Sequence, residues 1–508
     1  MITPEKKVTL MKKPKDLSQI PALDLVARLC EALAAEEIDY CHWKSTTALD
    51  RSANGDNDLD LLVSRADVQR FVEILQRLGF KSVLPAPKDK LPGVLDFYGL
   101  DCPSGCLVHV HAHFQLILGN DLSKNYRLPL EQPYLASAIE RGMFRIPAPE
   151  FELVIFVIRM VLKHSTWDSL LLRHGSLSPS ERGELDDLVT PANLERVSAV
   201  LEKYIPYVNR ELFDACLRTL QPKCSLGARI LTGERLQRAL RCCARYPQFL
   251  DVIRKFVNRV EQSLQARVFR CNTRHSMANG GLLVGIVGGD GAGKSTVIDE
   301  LYRLLAKKIN VVKLHMGKPR WSWMTIAARG LLKIGTLLGL YRFEVISEQA
   351  IYTGEAGTNR FPGYPALIRM VCTARDRYLT YLKARRFSSN GGLVLCDRYS
   401  LPGFMAMDGP QCARLTGSVK SKRFIDWLVK LENSYYQQIV LPDLLIVLKV
   451  DPEIAVQRKV DEHETSVRAR SREVWDLEWE RLPAHIINAD RPQAEIIAEI
   501  KMLVWSYL

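Results

Sequence analysis

The sequence predicts an α/β protein, on three observations. The stretch GIVGGDGAGKSTVIDEL, Gly285 to Leu301, joins an apolar run to an amphipathic pattern through a glycine-rich turn. From about residue 281 onward the chain reads strand, loop and helix in repetition, the order that builds a parallel sheet covered by helices. Between residues 22 and 114 short apolar runs again alternate with amphipathic stretches, which predicts a second, smaller unit around a mixed sheet.

Taken in order, the elements give five segments. Residues 1–21 form an N-terminal arm opening MITPEKKVTLMKKPKDL. Residues 22–149 form the smaller α/β unit, with a helix at ALDLVARLCEALAAE, strands at IDYCHWKS and DLDLLV, a helix at ADVQRFVEILQRLG, and strands at GVLDFYGL and CLVHVHAHFQL. Residues 150–273 are dominated by helical periodicity, as in FELVIFVIRMVLKH and NRVEQSLQARVFR, and carry no chemical motif. Residues 274–280 are small, polar and glycine-ended, as an interdomain linker should be. Residues 281–508 form the parallel-sheet unit. The chain has 508 residues, and about 150 residues per domain suggests roughly three units.

Composition narrows the function classes. The chain opens without an apolar h-region, and no run approaches the ~20 apolar residues that span a bilayer, so a cytoplasmic protein is expected. The 12 cysteines show no framework spacing, which favours reduced thiols. A net charge of +13 favours anionic partners, and phosphate-rich small molecules meet that preference as well as a polynucleotide does; no zinc-finger or other nucleic-acid signature accompanies it, so no nucleic acid is expected. A homodimer stays open beside a monomer.

The chemistry concentrates after residue 281. Gly288 and Gly293, followed by Lys294 and Ser295, complete the pattern G-x-x-x-x-G-K-[ST] directly after the apolar run Leu282 to Val287. Gly288, Gly289, Asp290, Gly291, Ala292 and Gly293 would wrap phosphates with backbone N–H groups, Lys294 would add a charge, and Ser295, next to Thr296, would offer a hydroxyl to Mg²⁺ at a helix N-terminus. ATP and Mg²⁺ are therefore the expected cofactors. In GGLVLCDRYS an apolar strand ends in Asp397 and Arg398, where an open α/β sheet holds its ligands; Asp397 should face the metal or acceptor, and Arg398 an acceptor phosphate. The run VRARSRE packs Arg468, Arg470 and Arg472 into a short segment. It reads either as a solvated face or as a mobile lid supplying charge that the arginine-free loop lacks. CTARDRYLTYLKA places Arg375, Asp376 and Arg377 on a helix.

With these motifs in order, the run from GGDGAGKST through ARDR, VLCDRYS and PDLLIVLKVDPEIAVQRK to HIINADRPQAEIIAEI resembles thymidylate kinase over residues 281–508. The resemblance implies a nucleoside monophosphate kinase-like parallel sheet of five strands. It also implies Asp290 near the acceptor hydroxyl, Arg377 and Arg398 near its phosphate, and the lid arginines on the transition state. The chain departs from that family where it reads HMGKPR and SLPGFMAMDGP, and at Val287, so a small phosphate- or hydroxyl-bearing acceptor is expected, a nucleoside monophosphate in the first reading and a sugar, sugar phosphate or lipid-linked saccharide of surface polysaccharide synthesis in the alternative. The segment WSWMTIAARGLLKIGTLLGLYRF, residues 321–343, is basic and apolar; it packs in the core or makes a peripheral membrane contact.

Residues 22–115 resemble the nucleotidyltransferase fold. Asp58 and Asp60 alternate with leucines, so both carboxylates share one strand face, as two-metal chemistry requires. Lys44-Ser45 stands where that family has a Gly-Ser turn. His109, His111 and His113 stand where a third carboxylate is expected. The readings are a satisfied polar sheet face, an Asp/His metal site formed by Asp58, Asp60, His109 and His111, or a working transferase that would make the chain bifunctional.

Overall fold

The computed structural model describes residues 22–44, 46–87, 89–166, 177–264, 274–339, 363–401, 408–416, 423–459 and 463–508. The N-terminal arm, Ser45, residues 265–273, residues 340–343 of the apolar segment and most of SLPGFMAMDGP lie outside them. The chain forms two compact units, Met1–Lys81 with Pro87–Cys271, and Ser82–Ala86 with Asn272–Leu508.

In the first unit, helix α1 (Asp24–Ala35) buries Leu25, Val26, Leu29, Cys30 and Leu33, and α2 (Val68–Arg77) buries Phe71, Ile74 and Leu75. Both stripes follow the helical repeat of three to four residues and enter one core with the sheet. Strands β1 (Tyr40–His42), β2 (Leu59–Val63), β3 (Val94–Asp101) and β4 (Cys106–His113) lie in the order β1-β2-β4-β3. The β2–β4 pair is parallel and its neighbours are antiparallel, so the sheet is mixed.

Helix α3 (Pro149–His164) is buried on nearly every side, as a helix apolar all round must be. Around it pack α4 (Pro179–Leu188), α5 (Pro191–Tyr204), α6 (Arg210–Thr219) and α7 (Leu226–Ala239). Their core includes Cys41 and Leu62 from the sheet and Trp43 just beyond β1, so the boundary at residues 149/150 falls inside a single core. The helical region is continuous with the mixed sheet.

In the second unit, five parallel strands, β5 (Leu282–Gly288), β6 (Val311–His315), β7 (Leu393–Asp397), β8 (Leu444–Lys449) and β9 (Ala484–Asn488), lie in the order β6-β7-β5-β8-β9. All seven residues of β5 are buried, as expected of the centre of a sheet covered on both faces. The longer helices are α8 (Lys294–Leu305), α9 (Trp323–Leu337), α10 (Tyr364–Ser389), α11 (Arg423–Gln437), α12 (Pro452–Arg458), α13 (Glu464–Asp476) and α14 (Gln493–Tyr507). Strand order reverses around β5, and open α/β sheets hold their ligands beyond the carboxyl ends of the strands at such a point. Among the described residues no helix is long and apolar enough to cross a membrane.

Candidate functional site

The turn Gly288–Gly293 begins at the carboxyl end of β5 and leads into α8. Gly293, the residue before α8, has φ +84°, a conformation that costs other L-residues roughly 1 kcal/mol or more. Gly289 is required for a different reason: a Cβ there would lie 2.6 Å from Ser471 Oγ and 2.8 Å from Ser471 Cα on α13. The turn thus exposes its backbone, and α8 brings its positive end to the same point. Ser295 and Thr296 lie exposed in the first turn of α8.

Lys294 is buried, and its Nζ donates to the carbonyls of Gly288 at 2.9 Å and Gly289 at 2.7 Å. Burial pushes its ammonium down to about 8, although Asp290 pulls it upward. Ser295 Oγ donates to Asp397 Oδ2 at 3.3 Å, and the other oxygen of Asp397, Oδ1, is buried without a hydrogen-bond partner among the described residues. Two hard oxygen ligands side by side, one with an unused buried lone pair, fit Mg²⁺.

Asp290, 4% exposed, is held from both sides. Arg398 Nη2 lies 2.9 Å from its Oδ1, and Arg470 Nη1 lies 2.6 Å from its Oδ2. Arg398 reaches it from a backbone with φ +54°, a strained conformation costing about 1–2 kcal/mol that aims the guanidinium back over the turn.

The three arginines of α13 do not act together. Arg470 reaches Asp290, whereas Arg468 pairs with Glu453 and Glu464, both at 2.7 Å, and Arg472 is exposed beside Asp476. Residues two apart on a helix point about 200° from one another, so a helical Arg-x-Arg-x-Arg run cannot converge on one phosphate. Arg377 also departs from the expected role. Its Nε donates to Met316 O, its Nη1 to Asp408 O and Tyr436 Oη, and its Nη2 to Gly317 O and Asp408 Oδ1. All five N–H donors are engaged inside the protein, so Arg377 clamps the loop after β6 to the Asp408 segment.

That clamp brings in residues not singled out from the sequence. His315 ends β6 in register with Asp397, and its Nδ1 accepts from Lys318 N–H at 3.2 Å, which leaves the ring proton on Nε2. Burial holds its pKa below the ordinary value. Asp408 is buried, and burial raises its carboxyl despite Arg377, Arg398, His315 and Lys294. A Cβ on Gly317 would lie 2.9 Å from both Arg398 Cδ and His315 Cε1, so these groups form one packed wall beside the turn. The usable sequence signal was a histidine ending an apolar-periodic strand.

The first unit holds a second polar cluster. Lys44 Nζ lies 2.8 Å from Asp60 Oδ1 and 3.3 Å from His113 Nε2. His111 Nδ1 lies 3.0 Å from Asp60 Oδ1, and His109 bridges Asp58 at 2.9 Å and Asp96 at 3.1 Å. Asp60, His111 and His113 are near enough to share a metal ion. Burial would raise Asp60, but Lys44, His111 and His113 outweigh it and hold the carboxyl well below its usual range. Asp96 stands opposite His111 on β3, so a third carboxylate does exist, one strand away from the place the sequence suggested.

The parallel sheet and the turn define an α/β protein with a glycine-rich loop at a helix N-terminus. Two Escherichia coli K12 proteins resemble the chain: "Uncharacterized ATP-binding protein YghS", 30% identical over 187 residues, covering 35% of this chain and 73% of that protein, and "Uncharacterized ATP-binding protein YghR", 28% identical over 186 residues, covering 35% and 69%. The chain belongs to the family of YghS. No model of a known protein family matches it.

Proposed function

We propose that the chain is an ATP-dependent phosphotransferase of the thymidylate or nucleoside monophosphate kinase type. The observation that carries this reading is the paired arrangement on the two sides of one turn: Lys294 seated under Gly288 and Gly289 with Ser295 and Asp397 beside it, and Asp290 held between Arg398 and Arg470. The names of the E. coli relatives support ATP as the nucleotide. Backbone N–H groups of the turn bind the phosphates, and Lys294 exchanges its carbonyl partners for phosphate oxygens. Ser295 and Asp397 would hold Mg²⁺, which supplies charge neutralisation when bound. Arg398 and Arg470 hold Asp290 fixed at the acceptor side, where positioning and preorganised charge account for most of the rate in phosphoryl transfer.

A second reading concerns the acceptor. Because Arg377 has all five donors engaged, an acceptor lacking a phosphate at that place, such as a sugar or a lipid-linked saccharide, suits this wall better than a nucleoside monophosphate. ADP formation measured against nucleoside monophosphates, sugars, sugar phosphates and lipid-linked saccharides, with product masses read directly, tests both readings. Acceptor-dependent ADP supports phosphotransfer and its product names the acceptor; ATP hydrolysis indifferent to every acceptor would overturn it.

A further inference from the structure

Helix α9 is amphipathic in the inverted sense. Its buried residues are Thr325 and Gly335, while Trp323 is 87% exposed, Leu337 78%, Leu331 70% and Met324 65%, with Ile326, Ile334 and Leu338 also exposed. At 100° per residue these positions fall within one outward stripe about 160° wide. The polar Arg329 points inward instead, toward Thr373 and the Trp321 ring. The core-packing alternative for this segment is therefore not realised in the described residues.

The helix is held firmly in that orientation. Ser322 caps its N-terminus, the Ser322 N–H donates to Asp376 Oδ1 at 3.2 Å, and Arg375 donates to Ser322 Oγ at 2.8 Å. Arg375 and Asp376 immediately precede Arg377 on α10, so the same helix anchors the exposed stripe and the wall of the candidate site. An outward apolar stripe of this extent needs a partner.

Charge and composition identify it. Residues 317–339 contain Lys318, Arg320, Arg329 and Lys333 and no acidic residue. Tryptophans stand at its N-terminal end, a residue type that prefers the boundary between headgroups and acyl chains. A second copy meeting the same face about a twofold axis would set these cations against one another, whereas an anionic headgroup layer neutralises them while the acyl region takes the stripe. We propose that α9 docks flat on an anionic lipid bilayer, the apolar stripe in the acyl boundary and Lys318, Arg320 and Lys333 at the headgroups. This inference stands independently of phosphotransfer.

Flotation of the full chain with vesicles of equal parts phosphatidylglycerol and phosphatidylcholine, and with phosphatidylcholine alone, tests it. The protein should float with the anionic vesicles, lose much of that binding at raised salt, and bind at least about tenfold more weakly in Leu331→Glu/Leu337→Glu. Far-ultraviolet circular dichroism and ATP consumption without vesicles should be unchanged in that variant, separating lost docking from lost folding. Failure to float with anionic vesicles, or equal flotation of the variant, would overturn the proposal; so would a sedimenting dimer that the variant dissolves, which would assign the stripe to a second copy.

Discussion

Each unit holds a lysine in a polar cluster, Lys44 in the first and Lys294 in the second, and the two have partners of different kinds. Lys44 donates to the Asp60 carboxylate, which neutralises it. Lys294 donates to two backbone carbonyls, which orient it, and Asp290 acts on its charge through space. Burial lowers both ammonium groups, yet only Lys294 can release its partners to an incoming phosphate at little cost, because a carbonyl dipole is a weaker competitor than a full charge. The same residue type is neutralised by a carboxylate in one unit and held by two carbonyls in the other.

The comparison breaks most directly on those lysines. Lys294→Ala should reduce ATP turnover by about 100-fold or more, whereas Lys44→Ala should leave it within about threefold; steady-state ADP release reads both, and equal losses would merge the two sites into one function. A smaller effect separates the α13 arginines. Arg470→Ala, which leaves Asp290 buried beside Arg398 alone, should lower kcat by about tenfold or more with less change in ATP affinity, while Arg468→Ala and Arg472→Ala each stay within about twofold. Uniform losses across the three would show that the helix closes as a unit.

In the first unit, Lys44→Ala should lower stability by about 2–3 kcal/mol, because Asp60 is left partly buried without its cation. The same change frees Asp60, His111 and His113, so Zn²⁺ should bind the variant more tightly than the wild type by calorimetry; unchanged Zn²⁺ affinity would show that Lys44 does not occupy the ion's place. Asp58→Asn/Asp60→Asn should leave ADP formation within about threefold, and a larger loss would couple the two clusters.

A further expected effect is a pH dependence. Glu152 on α3 is buried against Thr46, and burial raises its carboxyl from 4.5 to about 7. A raised acid favours the folded state fully below about 4.5 and loses that contribution as pH rises to about 7. Thermal melts of Glu152→Gln should therefore lose a downward slope that the wild type shows between those values; parallel profiles would mean that Glu152 is ionised throughout.

Legibility followed the range of the interactions. The turn, its preceding strand and the helix that starts at Lys294 were readable because glycine at a left-handed position, an apolar run and a helix N-terminus are local patterns. Asp397 and Arg398 were readable as a strand end. The role of Arg377 was not, because its partners Met316 and Tyr436 lie about 60 residues away on either side. Asp96 was missed for the same reason: only the register of β3 against β4 sets it beside His109 and His111.

By itself, then, the sequence determined the α/β class, the place of the glycine-rich turn and the identities of Lys294, Ser295 and Asp397 around it, since these depend on neighbours in the chain and on strand ends. Only the tertiary structure decided that Arg470 alone of the three arginines meets Asp290, that Arg377 is a clamp, that Lys44 is paired with Asp60, and that the apolar stripe of α9 faces outward. Charge and hydrophobicity are properties of a residue, but whether a charge is neutralised or an apolar face is covered depends on what packing brings within a few ångströms of it.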